Sequence, residues 1–308
     1  NALDNAKTLC SQDGNENAEE YYSYTFDKTT TDKLINKANN AYGTRTNELL
    51  LTALGLAAGK IADGSVGINV ETHGRVELDE PIALERTVGW FTSCYPVVIN
   101  NSSNIIYELI NTKETLRRMP ENGIDYLLLN QGFHKNADII FNFYDNSISN
   151  KTRQNKLIVF NADTSVIPNK IGVDCLVDEE NLTVKIHVPQ YAHKPQISEE
   201  LGTEFVKQIE KIIDICTTSE AVVKTRSDFS DDRLTEVELN ELMDVFASGD
   251  NENAIKDILC LTPSQEGIYA QYFQSTDTKT YQLQNLCKIN KDADLGLVEK
   301  SVELLALR

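Results

Sequence analysis

VETHGRVELDEPIALERTVGWFTSCYPVVIN, residues 70 to 100, carries the decisive pattern. It begins inside SVGINVE, residues 65 to 71, where Val66, Ile68 and Val70 point one way and Gly67, Asn69 and Glu71 the other. That alternation is the period of a half-buried strand. WFTSCYPVVIN, residues 90 to 100, is a second strand candidate, and a charged loop joins the two. Glu71 and His73 are two apart, so on a strand they share the face turned away from Val70. A carboxylate beside an imidazole can take and return protons. Taken bare, the pattern favours a solvated edge: Arg75, Glu77 and Asp79 continue the same face, while Trp90, Phe91 and Tyr95 read as core.

The flanks supply more elements. Upstream, YYSYTFD reads as a strand, and a helix-like segment runs from Asp32 to about Ala41. The helix over 46 to 61 is apolar on most sides, which predicts burial. Downstream, residues 102 to 118 read as a helix ending before Pro120. ADIIFNFYD and KLIVFNA are strand candidates, and IGVDCLV with LTVKIHV forms a hairpin across DEEN. Asn142 stands between Phe141 and Phe143, as hydrogen-bonded core or as a group presented to a ligand. ISEELGTEFVKQIEKIIDICTT puts Phe205, Ile209, Ile212 and Ile213 on one helical face.

Composition divides the chain. Residues 1 to 20 read as a loose, acidic leader, 21 to 218 as a folded lobe, and 219 to 258 as a linker around a short helix, LTEVELNELMDVFA. Residues 259 to 308 hold a helix-like segment, a strand candidate YQLQNLCKI and an amphipathic helix with Leu297, Val302 and Leu305. One strand and two helices are too little for a core. This tail is expected to be disordered, or to pack on a neighbour or a second copy. The first residue is Asn1, and the chain is read as a piece of a longer one.

The 308 residues make two domains a soft prior, and 41% hydrophobic with 25% charged residues is ordinary for a soluble globular protein. A net charge of −18 repels phosphate backbones and anionic lipid, which argues against a nucleic-acid or membrane partner. The six cysteines are scattered without a Cys-x-x-Cys pair, against a disulfide framework or a zinc site and for a reduced, cytoplasmic setting. No run is apolar enough to span a bilayer, and no signal peptide is present. The four histidines lack metal-ligand spacing; His187 reads as exposed, His134 and His193 as loop residues. No glycine-rich phosphate loop occurs, and Ser93 lacks the nucleophile elbow.

Glu71-Thr72-His73-Gly74-Arg75 resembles the Glu-Gly-His-Gly-Arg motif of epimerization domains in nonribosomal peptide synthetases. Arg86-Thr87-Val88-Gly89-Trp90-Phe91-Thr92-Ser93, then Tyr95-Pro96-Val97, is similar to that family's next motif. Pro120 to Tyr126 resembles Pro-Asn-Lys-Gly-Ile-Gly-Tyr, and Phe141-Asn142 falls where Phe-Asn-Tyr-Leu-Gly stands. Thr225-Arg226-Ser227-Asp228-Phe229 looks like the Thr-Pro-Ser-Asp-Phe that closes such domains. Leu261 to Gly267 is similar to the opening motif of a condensation domain.

The resemblance implies an α/β fold: a chloramphenicol-acetyltransferase-like lobe of mixed β-sheet packed with helices, followed by a partial second lobe fragment. The His-His-x-x-x-Asp motif of the family's first lobe is absent, so the chain enters at the second lobe. The implied substrate is an aminoacyl or peptidyl thioester on the phosphopantetheine arm of a peptidyl carrier protein, with the rest of the synthetase in cis and no tightly bound cofactor. The implied reaction is inversion at the α-carbon, an isomerase activity of the parent. Glu71 would be one proton carrier and the missing histidine the other, with Asn142 holding the thioester or its enolate oxygen. His73, Gly74 and Arg75 would shape the wall, and Arg86, Trp90 and Tyr95 support it. Thr72, in place of the family glycine, is expected to crowd the pantetheine approach; Asp125 also replaces a glycine. This piece alone is expected to lack epimerase activity. The alternatives are a non-catalytic carrier-docking platform, or a condensation-type acyltransferase lobe.

Overall fold

Alternating segments become strands and 3.6-periodic ones become helices, and together they make one mixed sheet backed by helices. The computed structural model describes residues 2–10, 18–75, 84, 86–89, 91–130, 134–146, 170–178, 180–189, 194–219, 222–231, 233–247, 255–274, 286, 288, 290 and 292–306. The strands are β1 (Glu20–Thr25), β2 (Val66–His73), β3 (Thr92–Ile99), β4 (Ile139–Asp145), β5 (Ile171–Asp178) and β6 (Asn181–Val188). Their order across the sheet is β1-β6-β5-β4-β2-β3. β2 pairs β4 and β4 pairs β5 in parallel, and the other neighbours are antiparallel. KLIVFNA lies outside the described residues.

The first helix starts earlier than its sequence pattern indicates. Asp27 caps α1 (Lys28–Asp32) by accepting from the Thr30 amide at 2.8 Å, and wider and tighter turns carry the chain on to Asn40. Asp32, the expected start, instead accepts from Asn36 one turn on. An Asx cap three residues before an amide outweighs the later apolar onset. Helix α2 (Thr46–Ala62) is buried almost all round, with Leu49, Leu50, Leu51 and Leu54 fully enclosed. After α3 (Ile105–Arg117) and α4 (Tyr126–Asn130), the long α5 (Ile197–Thr218) lays Leu201, Phe205, Ile209 and Ile212 against the sheet. Each such side chain contributes about 1.5–3 kcal/mol on burial. One face of the sheet is thereby covered: Val70, Phe141, Val173 and Ile186 all turn into this core.

Two expectations about the flanks are corrected. Residues 2–10 are not loose. Lys7 bridges Val66 and donates to the Ser65 carbonyl at 2.7 Å, and Leu9 joins the core. Buried Asp138 accepts from the amides of Leu9 and Cys10 at 2.6 and 2.9 Å. Within the expected linker, Thr225, Phe229 and Leu239 are buried, and the helix there is α6 (Glu236–Ala247). The chain divides into two compact units between Ile258 and Leu259. In the second, α7 (Pro263–Gln274) and α8 (Leu295–Ala306) are helical and carry exposed apolar residues, among them Phe273, Leu297 and Leu305. Most of YQLQNLCKI lies outside the described residues. No described helix is long and apolar enough to cross a membrane.

Candidate active site

Register decides what shares the sheet face turned away from this core. Val70 pairs Phe141 and Phe141 pairs Val173, all three in the core, so Glu71, Asn142 and Asp174 turn to the opposite side. Cys94 pairs Glu71 from β3, and Lys185 pairs Asp174 from β6. The result is a transverse row, Cys94–Glu71–Asn142–Asp174–Lys185, at ladder spacing. His73 and Tyr144 stand one level along on the same face.

Glu71 is half-buried, and burial pushes its pKa above the ordinary carboxylate value. A hydrogen bond from Asn142 pulls it down, and the charge of Asp174 pushes it up again. Burial, then Asp174 and Glu71, push the Tyr144 phenol up to about 12. The Cys94 thiol is likewise pushed up to about 12, by burial and then by Glu71. A thiol so held is inert as a nucleophile. Asn142 is buried and its amide reaches Glu71, so it is both hydrogen-bonded and turned to the face away from the core.

The expected wall residues divide. His73 is exposed at the end of β2. The Gly74 amide donates to the Phe91 carbonyl at 2.5 Å, and a Cβ at Gly74 would collide with that oxygen. The Arg75 guanidinium stacks over the Phe91 ring at 4.2 Å and donates to the carbonyls of Leu84 and Thr87, at 2.5 and 2.8 Å. It therefore organises the β2–β3 connection. Arg86 is exposed, and Trp90 lies outside the described residues. Tyr95 faces the helices, not the row: it is core, and its ring packs under Gly123. Its contribution is to the support of β3.

Thr72 does not crowd Glu71. It points to the helix side, where Thr72 Oγ1 and Ser93 Oγ are 2.7 Å apart and both reach the Asn122 carbonyl. Side chains alternate along a strand, so a β-branched neighbour of Glu71 is steered to the far face. Asp125 is exposed. A cavity of about 790 Å³ opens on that far side, lined by Thr72, Tyr95, Arg45, Arg117, Arg118 and Arg226 among others; Glu71 does not line it.

Sequence pattern missed Tyr144 and Asp174. The alternation of IGVDCLV did place Asp174 opposite the apolar residues. Which strand lies beside it is set by a parallel pairing across a long connection, which no local pattern encodes. His187, expected to be exposed, is partly covered and stacks on Tyr21 with ring centroids 4.7 Å apart. Among the described residues, no group of His, Cys, Asp and Glu could hold a metal ion.

A family model described as condensation domain matches residues 5–235. Gramicidin S synthase 1 of Brevibacillus brevis is 31% identical over 245 residues, covering 70% of this chain and 22% of that protein. Bacitracin synthase 2 of Bacillus licheniformis is 30% identical over 240 residues, covering 73% of this chain and 9% of that protein. The chain thus spans less than a quarter of either relative. Among solved structures, the epimerization domain from the third module of tyrocidine synthetase B aligns with a TM-score of 0.55 and 26% identity, over 69% of this chain and 51% of that one.

Proposed function

Because the chain belongs to the condensation-domain family, as part of a nonribosomal peptide synthetase, we propose that it is the second lobe of an epimerization domain and supplies one of two proton carriers. The observation that carries the reading is the pairing of Glu71 with Asn142 on the sheet face turned away from the core, with the carboxylate desolvated and its pKa raised. The epimerization motif at Glu71–Arg75 and the 26% identity to an epimerization domain support it over a condensation reaction.

The substrate is an aminoacyl or peptidyl thioester carried on the phosphopantetheine arm of a carrier protein. A base removes the α-proton, and the C–H electron pair moves into the thioester carbonyl to give an enolate. An acid on the opposite face returns a proton to Cα. Inversion needs the two groups on opposite sides, and Glu71 is the group on this lobe. On this reading the Asn142 amide donates to the developing oxyanion. A carboxyl whose pKa is raised holds its proton more strongly than a surface carboxyl, as a proton carrier must. The alternative, a carrier-docking platform without chemistry, is favoured by one departure: the family's Phe-Asn-Tyr-Leu-Gly reads Phe-Asn-Phe-Tyr-Asp here, and Phe143 packs on the core.

Wash-in of α-deuterium from D₂O into the carrier-bound thioester, measured on the module containing this chain, decides between them. Wild type is expected to exchange, and Glu71→Gln to lose about 10²-fold or more of the rate. Wild type that binds carrier protein without exchanging would establish the platform instead.

A further inference from the structure

The face turned away from the core holds a second carboxylate that proton transfer by Glu71 does not use. Asp174 is the ladder partner of Asn142, and Glu71 flanks Asn142 on the other side. Two ladder steps place the Glu71 and Asp174 backbones about 10 Å apart, with the amide between them. The other titratable groups on this face are Cys94 from β3, His73 further along β2, Tyr144 from β4, and Lys185 from β6. Lys170, just before β5, acts on Cys94, and its ammonium donates to the Ala137 carbonyl at 2.6 Å. Tyr144 feels both carboxylates. It occupies the leucine position of the motif this segment resembles, so the phenol beside two carboxylates is a feature of this chain.

We infer that Asp174 is a positioning residue for Glu71, biasing it toward the protonated form so that it delivers the α-proton while the opposing base abstracts. The physical reason is like-charge repulsion on a desolvated face: two carboxylates flanking one amide resist ionising together. Lys185 is the ladder partner of Asp174 on the side away from Glu71. Burial of Glu71 acts in the same direction. In the forward step the opposing base gains the α-proton, and the Glu71 O–H proton goes to the other face of the enolate, leaving a carboxylate. Exchange with solvent, or the reverse reaction, restores both groups. The inference rests on the epimerization reading.

The test is a carboxylate titration of the 308-residue chain carrying ¹³C-labelled glutamate, with Glu71→Gln assigning the resonance. In wild type, Glu71 is expected to titrate above the surface glutamates. Asp174→Asn is expected to move its midpoint to lower pH, and Asp174→Glu to keep it high. In the deuterium wash-in assay, Asp174→Asn is expected to shift the alkaline limb of the pH–rate profile to lower pH, a change that a merely structural role would not produce. An unmoved midpoint in Asp174→Asn, with wash-in still lost in Glu71→Gln, overturns the role of Asp174 and leaves the function standing. Wash-in retained by Glu71→Gln overturns the donor role together with the function it rests on.

Discussion

Lys113 is fully buried, and its ammonium donates to the Tyr42 carbonyl at 2.6 Å and to Asp228 at 2.5 Å. Asp228 also accepts from Arg117 at 2.9 Å, and Arg117 donates to buried Glu48 at 2.9 Å. The aspartate of Thr-Arg-Ser-Asp-Phe is thus a tether that pins residues 225–229 to α3. Burial pushes Asp228 up, but the Lys113 hydrogen bond, the Thr225 amide and the charges of Lys113 and Arg117 outweigh it and hold it below the usual carboxylate value. Asp228→Ala strands a buried ammonium, and the expected loss is about 3–5 kcal/mol in urea denaturation. Lys113→Met leaves Asp228 paired with Arg117, and the expected loss is about 1–2 kcal/mol. The sign with pH follows from the lowered folded value. The stabilisation from Asp228 is complete above the unfolded value, near pH 4, and fades as pH falls through the lower folded one. The gap between wild type and Asp228→Asn should therefore be constant near neutrality and close below about pH 4, read from denaturation midpoints across the acid range. Asp138, which burial holds above the ordinary value, works in the opposite sense. Comparing variants at one position removes that background.

Among the elements, the turn at Pro120–Gly123 shows how local chemistry and tertiary contact combine. Glu121, Asn122 and Gly123 are all left-handed, with φ of 47°, 52° and 66°. Two of the three carry a Cβ, and the conformation is maintained because Ser93 and Thr72 both hold the Asn122 carbonyl. Gly123→Ala would add a Cβ against the Tyr95 ring as well as strain the backbone. The expected cost is about 2–4 kcal/mol, seen as a lower urea midpoint. The strands β1, β2, β5 and β6 and the long helices were legible because their periods of 2 and 3.6 are local properties. The first helix was misread because a cap, not an apolar period, sets its start. Glu71 and Asn142 were found through their motifs. Asp174 was not, because its place beside Asn142 depends on the parallel β4–β5 pairing. Thr72 is next to Glu71 in sequence, yet the alternation of the strand sends their side chains to opposite faces.

Across the whole molecule, the two compact units make contrary forecasts for the two ends. Leu9 and the amides held by Asp138 belong to the main core, so deleting residues 1–10 exposes a buried carboxylate and opens a void. A loss of about 3 kcal/mol or more is expected. Deleting 259–308 removes a separate unit, and the main calorimetric transition should stay within about 2 °C of the intact chain. An unchanged midpoint in the first deletion, or a collapsed transition in the second, would contradict this division. The sheet order has a further consequence, for the nascent chain. β1 and β6 face each other at the margin of the sheet, and Thr25 and Thr183, 158 positions apart in sequence, touch. At about 5–20 residues per second, translation leaves the first strand without its neighbour for roughly ten to thirty seconds. During that interval a tyrosine-rich ribbon, YYSYT, has both edges open to any other strand that passes, and the sheet is completed only when its last hairpin, β5–β6, leaves the ribosome.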